Sequence, residues 1–477
     1  MFAIRLTSGP ADDSTRVLAV GADGLPTAAD AADADLQAEV TALLSSADDP
    51  GRPGAVQVLP RPTRRPARVL LAGVGRGDEA GWRAAGAAIA RAVRAEEPVQ
   101  IQLGAEVPAE ALRGLAEGLW LASYRFREAP TGPRSAEITI RVDDPGSLAQ
   151  SLEVARVTAA ATWLARDLAN MPASVKSPAW FAAQIVAEAA TRPGLTATVR
   201  EPEQLAAEGF GGILAVGGGS ASPPRLLEVS WQPAAASRHV VLVGKGITFD
   251  TGGISIKSRD GMKLMKKDMS GAAAVVAAIL GAADLHLPVR ITALTPLAEN
   301  AISGSAYRPG DVITQYDGTT TETTNSDAEG RLVLADVLAY AVAELHPDVV
   351  VDLATLTGAN AVALGKRTAA LYSHDDELAA ALTAAGAAAG EGMWRLPLPG
   401  DYLEYLHSDI ADRHSSPARG AGSVVAALFL SEFLGDRLDR WAHLDMSAPS
   451  WAEADDGELT SGATGWGART LLRWLSS

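Results

Sequence analysis

The chain has 477 residues, more than one ordinary hydrophobic core organises, so its length favours at least two domains. Its 57 acidic against 41 basic side chains leave a formal charge of −16, which argues against broad contact with DNA, RNA or an anionic membrane. Having no cysteine, it can form neither disulfides nor thiolate-ligated metal sites, so any metal must be held by carboxylate, imidazole or amine ligands.

The first residues, Met-Phe-Ala-Ile-Arg-Leu-Thr, carry no basic segment followed by a long apolar one, so no export signal is expected and a cytoplasmic location fits. Residues 1–146 alternate short apolar runs such as Arg68–Ala72 with Ala-rich helical stretches such as Glu79–Ala95, the pattern of an N-terminal α/β domain. A long Ala/Leu stretch over 147–169 predicts a connecting helix. It stops at Asn170-Met-Pro-Ala-Ser-Val-Lys-Ser-Pro178, where two prolines and several polar residues end the periodicity.

Beyond it, 170–477 reads as a second α/β domain with a mixed central sheet flanked by helices. Strands are expected at Val240–Val243, Val289–Leu294, Val312–Tyr316, Val349–Leu353 and Trp441–Met446, several of them apolar enough to be buried on both faces. Helices are expected between them at Met269–Ala283, Arg331–Leu345 and Ser423–Leu434. The longest apolar run, Gly271–Ala283, falls well short of the ~20 residues that span a bilayer, so no membrane partner is expected.

Several patterns lead nowhere. Gly73-Val-Gly75-Arg-Gly77 lacks the third glycine at the spacing of a dinucleotide fingerprint and a helix opening directly after it, and Gly217-Gly-Gly219 lacks the Lys-Ser/Thr that ends a phosphate-binding loop. No two of the seven histidines have zincin spacing, and no serine sits in a nucleophile elbow.

Two segments differ in kind. Val240–Lys257 runs from an apolar strand into Gly-Lys245-Gly, Asp250, a glycine pair and Lys257, and it continues to Asp268 ahead of an Ala-rich helix. Charged groups are thereby placed at the carboxyl end of a strand and at a helix N-terminus, where open α/β sheets bind ligands. A buried Lys245–Asp250 ion pair is the plain alternative. The second segment, Thr324-Asn-Ser-Asp327-Ala-Glu329-Gly-Arg331, precedes an amphipathic helix, and Asn325 and Ser326 suit a helix start. Asp327 and Glu329 converge only if the backbone between them is not yet helical; the alternative is simple compensation of the helix dipole. Asp250, Asp268, Asp327 and Glu329 brought together would repel one another, and divalent cations are the obvious compensation.

Val243-Gly-Lys-Gly-Ile-Thr-Phe-Asp-Thr-Gly-Gly and Asn325-Ser-Asp-Ala-Glu-Gly-Arg-Leu resemble, in order and spacing, the two signature segments of the leucyl aminopeptidase family of cytosolic dinuclear-metal peptidases. The resemblance extends from Arg166-Asp-Leu-Ala-Asn-Met-Pro through Thr355-Leu-Thr-Gly358 to Gly462-Ala-Thr-Gly465, while the first 145 residues match only in layout. It implies that Lys245, Asp250, Asp268, Asp327 and Glu329 ligate two divalent ions, Mn²⁺ or Zn²⁺, with Asp250 and Glu329 shared. It also makes Lys257 and Arg331 the catalytic residues. Lys257 would bind the developing oxyanion beside a metal-activated bridging water, and Arg331 would hold a bicarbonate that shuttles protons. Met265, Thr355 and Gly358 would line a pocket for leucine or another apolar first residue of a peptide with a free amino end. A homohexamer with the N-terminal domains outermost is also implied.

Ser326 stands where that family usually has Thr, which leaves the hydroxyl in place. Two rival readings remain at this stage. One is an architectural DNA-binding protein on the same fold, for which only the local cluster Arg61, Arg64, Arg65 and Arg68 speaks. The other is an inactive paralogue, against which the full set of ligand and catalytic positions counts.

Overall fold

A computed structural model of the chain describes residues 1–10, 12–27, 33–94, 97–104, 107–126, 137–236, 238–417 and 420–477. The chain forms two compact units, one of residues 1–163 with 452–461, the other of residues 164–451 with 462–477. The expected connecting helix forms as Pro145–Asn170, and its residues are divided between the two.

The first unit holds strands β1 (Ala3–Thr7), β2 (Thr15–Gly21), β3 (Val56–Pro60), β4 (Arg68–Gly75), β5 (Val99–Gln102) and β6 (Glu137–Arg141), in the sheet order β1-β6-β5-β2-β4-β3. All neighbours run parallel except the β3–β4 edge pair. The helix beginning at Glu79 runs to Ala92; the expected end at Ala95 lies outside the described residues. The arginine cluster is not a free basic patch. Arg61 lies 2.6 Å from Glu39, Arg68 lies 2.9 Å from Glu97, Arg64 pairs with Asp35, and Arg65 reaches Asp13 at 4.0 Å.

The second unit continues with β7 (Leu195–Arg200), β8 (Arg225–Trp231), β9 (His239–Gly244), β10 (Gly246–Asp250), β11 (Arg290–Asn300), β12 (Val312–Thr314) and β13 (Thr320–Glu322). Then come β14 (Val349–Ala354), β15 (Ala369–Ser373), β16 (Met393–Arg395), β17 (Arg413–His414) and β18 (Trp441–Asp445). Nine of these strands make a mixed sheet in the order β16-β15-β18-β14-β9-β11-β8-β7, with β10 paired to β11. Its centre, β14-β9-β11, is parallel and apolar on both faces, as the Val-rich runs predict. Val241 and Val243 join a core with Leu332, Val333, Leu338 and Phe429. The helix Ser270–Asp284 is buried from Ser270 through Ala283, which explains why its sequence is apolar all round.

Several boundaries differ from the sequence reading. The strand expected at Val289–Leu294 forms as Arg290–Asn300, and the one expected at Val312–Tyr316 forms as Val312–Thr314, paired with β13 in a small separate sheet with Val312 43% exposed. The predicted Arg331–Leu345 helix begins two residues earlier, at Glu329, and passes into a π-helical turn, Ala341–Leu345, before His346 turns left-handed at φ 46°. The helix expected to end at Leu434 ends at Ser431. Among the described residues no helix is long and apolar enough to cross a membrane.

Candidate metal centre and active site

The carboxyl ends of the central parallel strands carry the charged groups. Lys245 leaves β9 with its backbone held on both sides: its N–H donates to Leu353 O at 2.9 Å, and its carbonyl accepts from Ala272 N at 2.9 Å. Asp250 closes β10, and Asp268 ends the short 3₁₀ turn Met265–Lys267 ahead of the helix Ser270–Asp284. Glu329 is the first residue of the helix Glu329–Tyr340, while Asp327 lies in the turn before it. The condition for their convergence is therefore met: the backbone between them is not helical, and Ala328 has φ −105° and ψ 36°.

One oxygen each of Asp250, Asp327 and Glu329 lie within 4.8 Å of one another. At that separation two carboxylates repel by at least about 3 kcal/mol at an effective dielectric constant of ~20. The lysines divide between the acids. Lys245 Nζ is 2.9 Å from Asp268 Oδ2 and 2.8 Å from Glu329 Oε1, and Lys257 Nζ is 2.7 Å from Asp250 Oδ2 and also contacts Asp327. The ion pair considered from sequence, Lys245 with Asp250, is thus replaced by two crossed pairs.

Electrostatics follows from burial and crowding. Desolvation, with Glu329 adding repulsion, pushes the Asp250 carboxyl up to about 6. Desolvation also raises Asp268 and Glu329, although Lys245 opposes it in both. Burial works against the Lys245 ammonium, but Asp268, Glu329 and Asp250 together outweigh it and hold its pKa above the usual lysine range. Lys257 is likewise raised: burial opposes its charge, and Asp250 and Glu329 prevail. Burial lowers Arg331 to about 10.

The donor set fits divalent cations. Asp268 Oδ2, Asp327 Oδ1 and Glu329 Oε1 are buried and face only the Lys245 and Lys257 ammoniums. Four carboxyl groups, Asp250, Asp268, Asp327 and Glu329, thus crowd against two ammoniums, and a divalent cation offsets the excess of acids. Hard oxygen donors with one amine suit Mn²⁺ or Zn²⁺.

The remaining predicted residues are spread around this cluster. Thr355, buried just past β14, donates from Oγ1 to Asp268 Oδ1 at 2.7 Å, and its carbonyl accepts from Lys245 Nζ at 3.0 Å. Met265 is half-buried; Gly358 is exposed, at the N-terminus of the helix Ala359–Leu364. Arg331 donates from Nη1 to Ser415 O at 2.6 Å, and its Nε is buried without a partner. Ser326 does not cap the helix, as its position suggested. Its Oγ donates to Gly252 O and accepts from Ser255 N, both at 2.7 Å, tying the 251–257 loop to the Asp327 turn. Asn325 Oδ1 accepts from Asp327 N at 3.0 Å.

Sequence reasoning missed Asn300, which ends β11 and donates from Nδ2 to Asp250 Oδ1 at 2.8 Å and to Ser326 O at 2.9 Å. An amide terminating an eleven-residue, mostly buried strand is the signal that could have found it. Gly252 N also donates to Asp250 Oδ1 at 2.8 Å, so that oxygen is spoken for and Oδ2 faces the cluster.

Comparison with known proteins places this geometry in a lineage. Residues 163–472 match the catalytic-domain model of the cytosol aminopeptidase family, and residues 17–131 match that family's N-terminal domain. A probable cytosol aminopeptidase of Chlorobaculum tepidum is 42% identical over 442 residues, covering 86% of each chain. One from Cutibacterium acnes is 46% identical over 379 residues, 79% of this chain and 74% of the relative. Among solved structures, a bottromycin maturation enzyme in complex with Mn superposes with a TM-score of 0.86 at 40% identity, covering 98% of this chain and 99% of that one. The cytosol aminopeptidase of Coxiella burnetii gives a TM-score of 0.84 at 33% identity, covering 98% of both chains. With both units matched and the acidic cluster at the strand ends, the chain belongs to the cytosol aminopeptidase family and is a leucyl-aminopeptidase-like metalloexopeptidase, a hydrolase.

Proposed function

We propose that the protein removes the N-terminal residue, preferably leucine or another apolar residue, from peptides with a free amino end, using two divalent ions held by Lys245, Asp250, Asp268, Asp327 and Glu329. The observation that supports this reading most directly is the group Asp250, Asp327 and Glu329, one oxygen of each lying within 4.8 Å of the others. Asp250 and Glu329 would be held in common by the two ions. Such a pair, when bound, supplies Lewis acidity and a bridging water of lowered pKa.

This chain's own residues account for the rest. Lys245 ligates only as the neutral amine, so loading the site displaces its proton. Lys257, a charged donor at the mouth of the cluster, stabilises the oxyanion that develops on the scissile carbonyl. Arg331 offers a planar guanidinium with a free Nε to a bicarbonate proton carrier. Asp268 assists in receiving the substrate's free amine, which an internal peptide bond lacks. Met265, Thr355 and Gly358 bound the pocket for the first side chain. A homohexameric, cytoplasmic enzyme completes the reading.

The decisive assay strips the purified protein with chelator, restores Mn²⁺ or Zn²⁺ separately, and measures leucine release from Leu-amide and from its N-acetylated counterpart. Metal-restored turnover confined to the free amine is expected. No turnover with any amino-terminal residue or either metal would overturn the proposal, and a low-salt DNA gel shift would then test the architectural alternative.

A further inference from the structure

Asp445, the last residue of β18, is fully buried and lies in register beside Ala354, the last residue of β14. Its carboxylate collects four hydrogen bonds. Oδ1 accepts from Leu356 N at 3.1 Å and from Ser447 N at 3.2 Å; Oδ2 accepts from Thr357 N at 3.0 Å and from Thr357 Oγ1 at 2.7 Å. Consecutive amides of one loop thus converge on one anion supplied by the neighbouring strand.

That loop, Thr355–Gly358, has its first residue bonded to Asp268 and Lys245, and its last exposed at the start of the helix Ala359–Leu364. The 445–450 segment is held from the other side as well, because Lys267 Nζ donates to Ser447 O and Ser450 Oγ, both at 2.9 Å. Lys267 directly precedes Asp268, so one polar chain links the turn before Asp268 to the loop after β14. Asp445 is distant in sequence from both and is itself fully buried, with its charge also acting on Arg331.

We infer that Asp445 is a positioning residue for substrate selectivity: by clamping the amides of Leu356 and Thr357 it sets the path of the Thr355–Gly358 loop, and with it the size of the pocket for the peptide's first side chain. This rests on the reading of Met265, Thr355 and Gly358 as pocket residues. The chemistry demands a carboxylate. An amide of the same shape presents an NH₂ to N–H donors, loses at least one acceptor and turns one loop contact repulsive.

The test compares kcat/KM for Leu-, Met- and Ala-amides in the metal-loaded full chain and in Asp445→Asn and Thr357→Val, with bound metal quantified in each. Asp445→Asn is expected to cut the Leu-over-Ala ratio by about fivefold or more, mostly through KM, at unchanged metal content; Thr357→Val shifts it the same way by less. An equal loss on all three substrates, with the ratio unmoved, would show a merely structural role and overturn the inference. Should Asp445→Asn fail to fold, Thr357→Val decides alone. Met265→Ala and Gly358→Val separate the two levels: if they alter the ratio while Asp445→Asn and Thr357→Val do not, only this inference fails, and if none of the four alters it, the pocket reading fails too.

Discussion

Gly330 packs directly against the Lys245 side chain of the proposed metal centre, and Gly330→Ala probes that contact. A Cβ built there would stand 2.5 Å from Lys245 Cε, 2.7 Å from Nζ and 2.8 Å from Cδ. Comfortable carbon contacts lie near ~3.5–4.0 Å, so the lysine must retreat by about 1 Å. Its Nζ is 2.9 Å from Asp268 and 2.8 Å from Glu329 with only 4% of the side chain exposed, so that retreat carries it out of ligating reach. Overpacking of this kind costs about 1–3 kcal/mol, which corresponds to about a 5- to 150-fold weaker metal affinity. Competition of the purified variant against a fluorescent chelator for Mn²⁺ reads this directly. Gly358→Ala is the control, because a Cβ there meets no heavy atom within 4 Å and its φ of −72° suits any residue. Wild-type affinity in Gly330→Ala would refute the assignment of Lys245 as a ligand.

The other predictions concern ligands, protons and the scaffold. Asp250→Ala abolishes metal retention and turnover together, whereas Lys257→Ala retains metal by elemental analysis and loses about 10²–10³ in kcat; a fully active, metal-bound Asp250→Ala protein would sink the site. Metal affinity falls as pH drops from 8 to 5, because loading must expel the Lys245 proton and because Asp250, with its carboxyl near 6, takes up a proton below that pH. Calorimetry in two buffers of different ionisation enthalpy measures the released protons, and a pH-independent affinity contradicts the scheme. Lys176 is buried, with Nζ donating to Leu168 O at 2.9 Å and Lys266 O at 2.5 Å, and burial, aided by Lys266, lowers its pKa to about 7. Since the unfolded chain holds that proton up to about pH 10.4, unfolding takes up protons between these values and folded stability rises with pH across the window. Melting curves at pH 7 and 9.5 should show this rise in the wild type and a smaller one in Lys176→Met.

Much of the second unit was legible because its signals are local. Short β-branched runs such as Val240–Val243 and Val349–Leu353 favour buried strands, and the longer Ala-rich, apolar-all-round Ser270–Asp284 stretch favours a buried helix; the structure shows both. Asp250, Asp268, Asp327 and Glu329 stood out because they lie close to the ends of strands and helices, while the set of five with Lys245 as ligands came from the family resemblance; in the structure ion pairs and close carboxylates link all five. The strand expected at Val312–Tyr316 forms but stops at Thr314, since short polar-interrupted runs carry little signal for where pairing ends.

Sequence alone determined the rhythm of strands and helices, the absence of thiolate ligands and the stock of charged groups near strand ends. Tertiary structure decided which groups meet. Asn300 holds Asp250 across 50 residues, Ser326 ties the 251–257 loop across 71, and Asp445 gathers the Thr355–Gly358 loop across 88 and 89. Even the crossing of the lysine pairs, Lys245 to Asp268 and Glu329, Lys257 to Asp250 and Asp327, was settled only there. The physical reason is that hydrophobic periodicity is written along the chain, whereas a buried polar atom takes whichever partner the packed strands bring within about 3 Å of it.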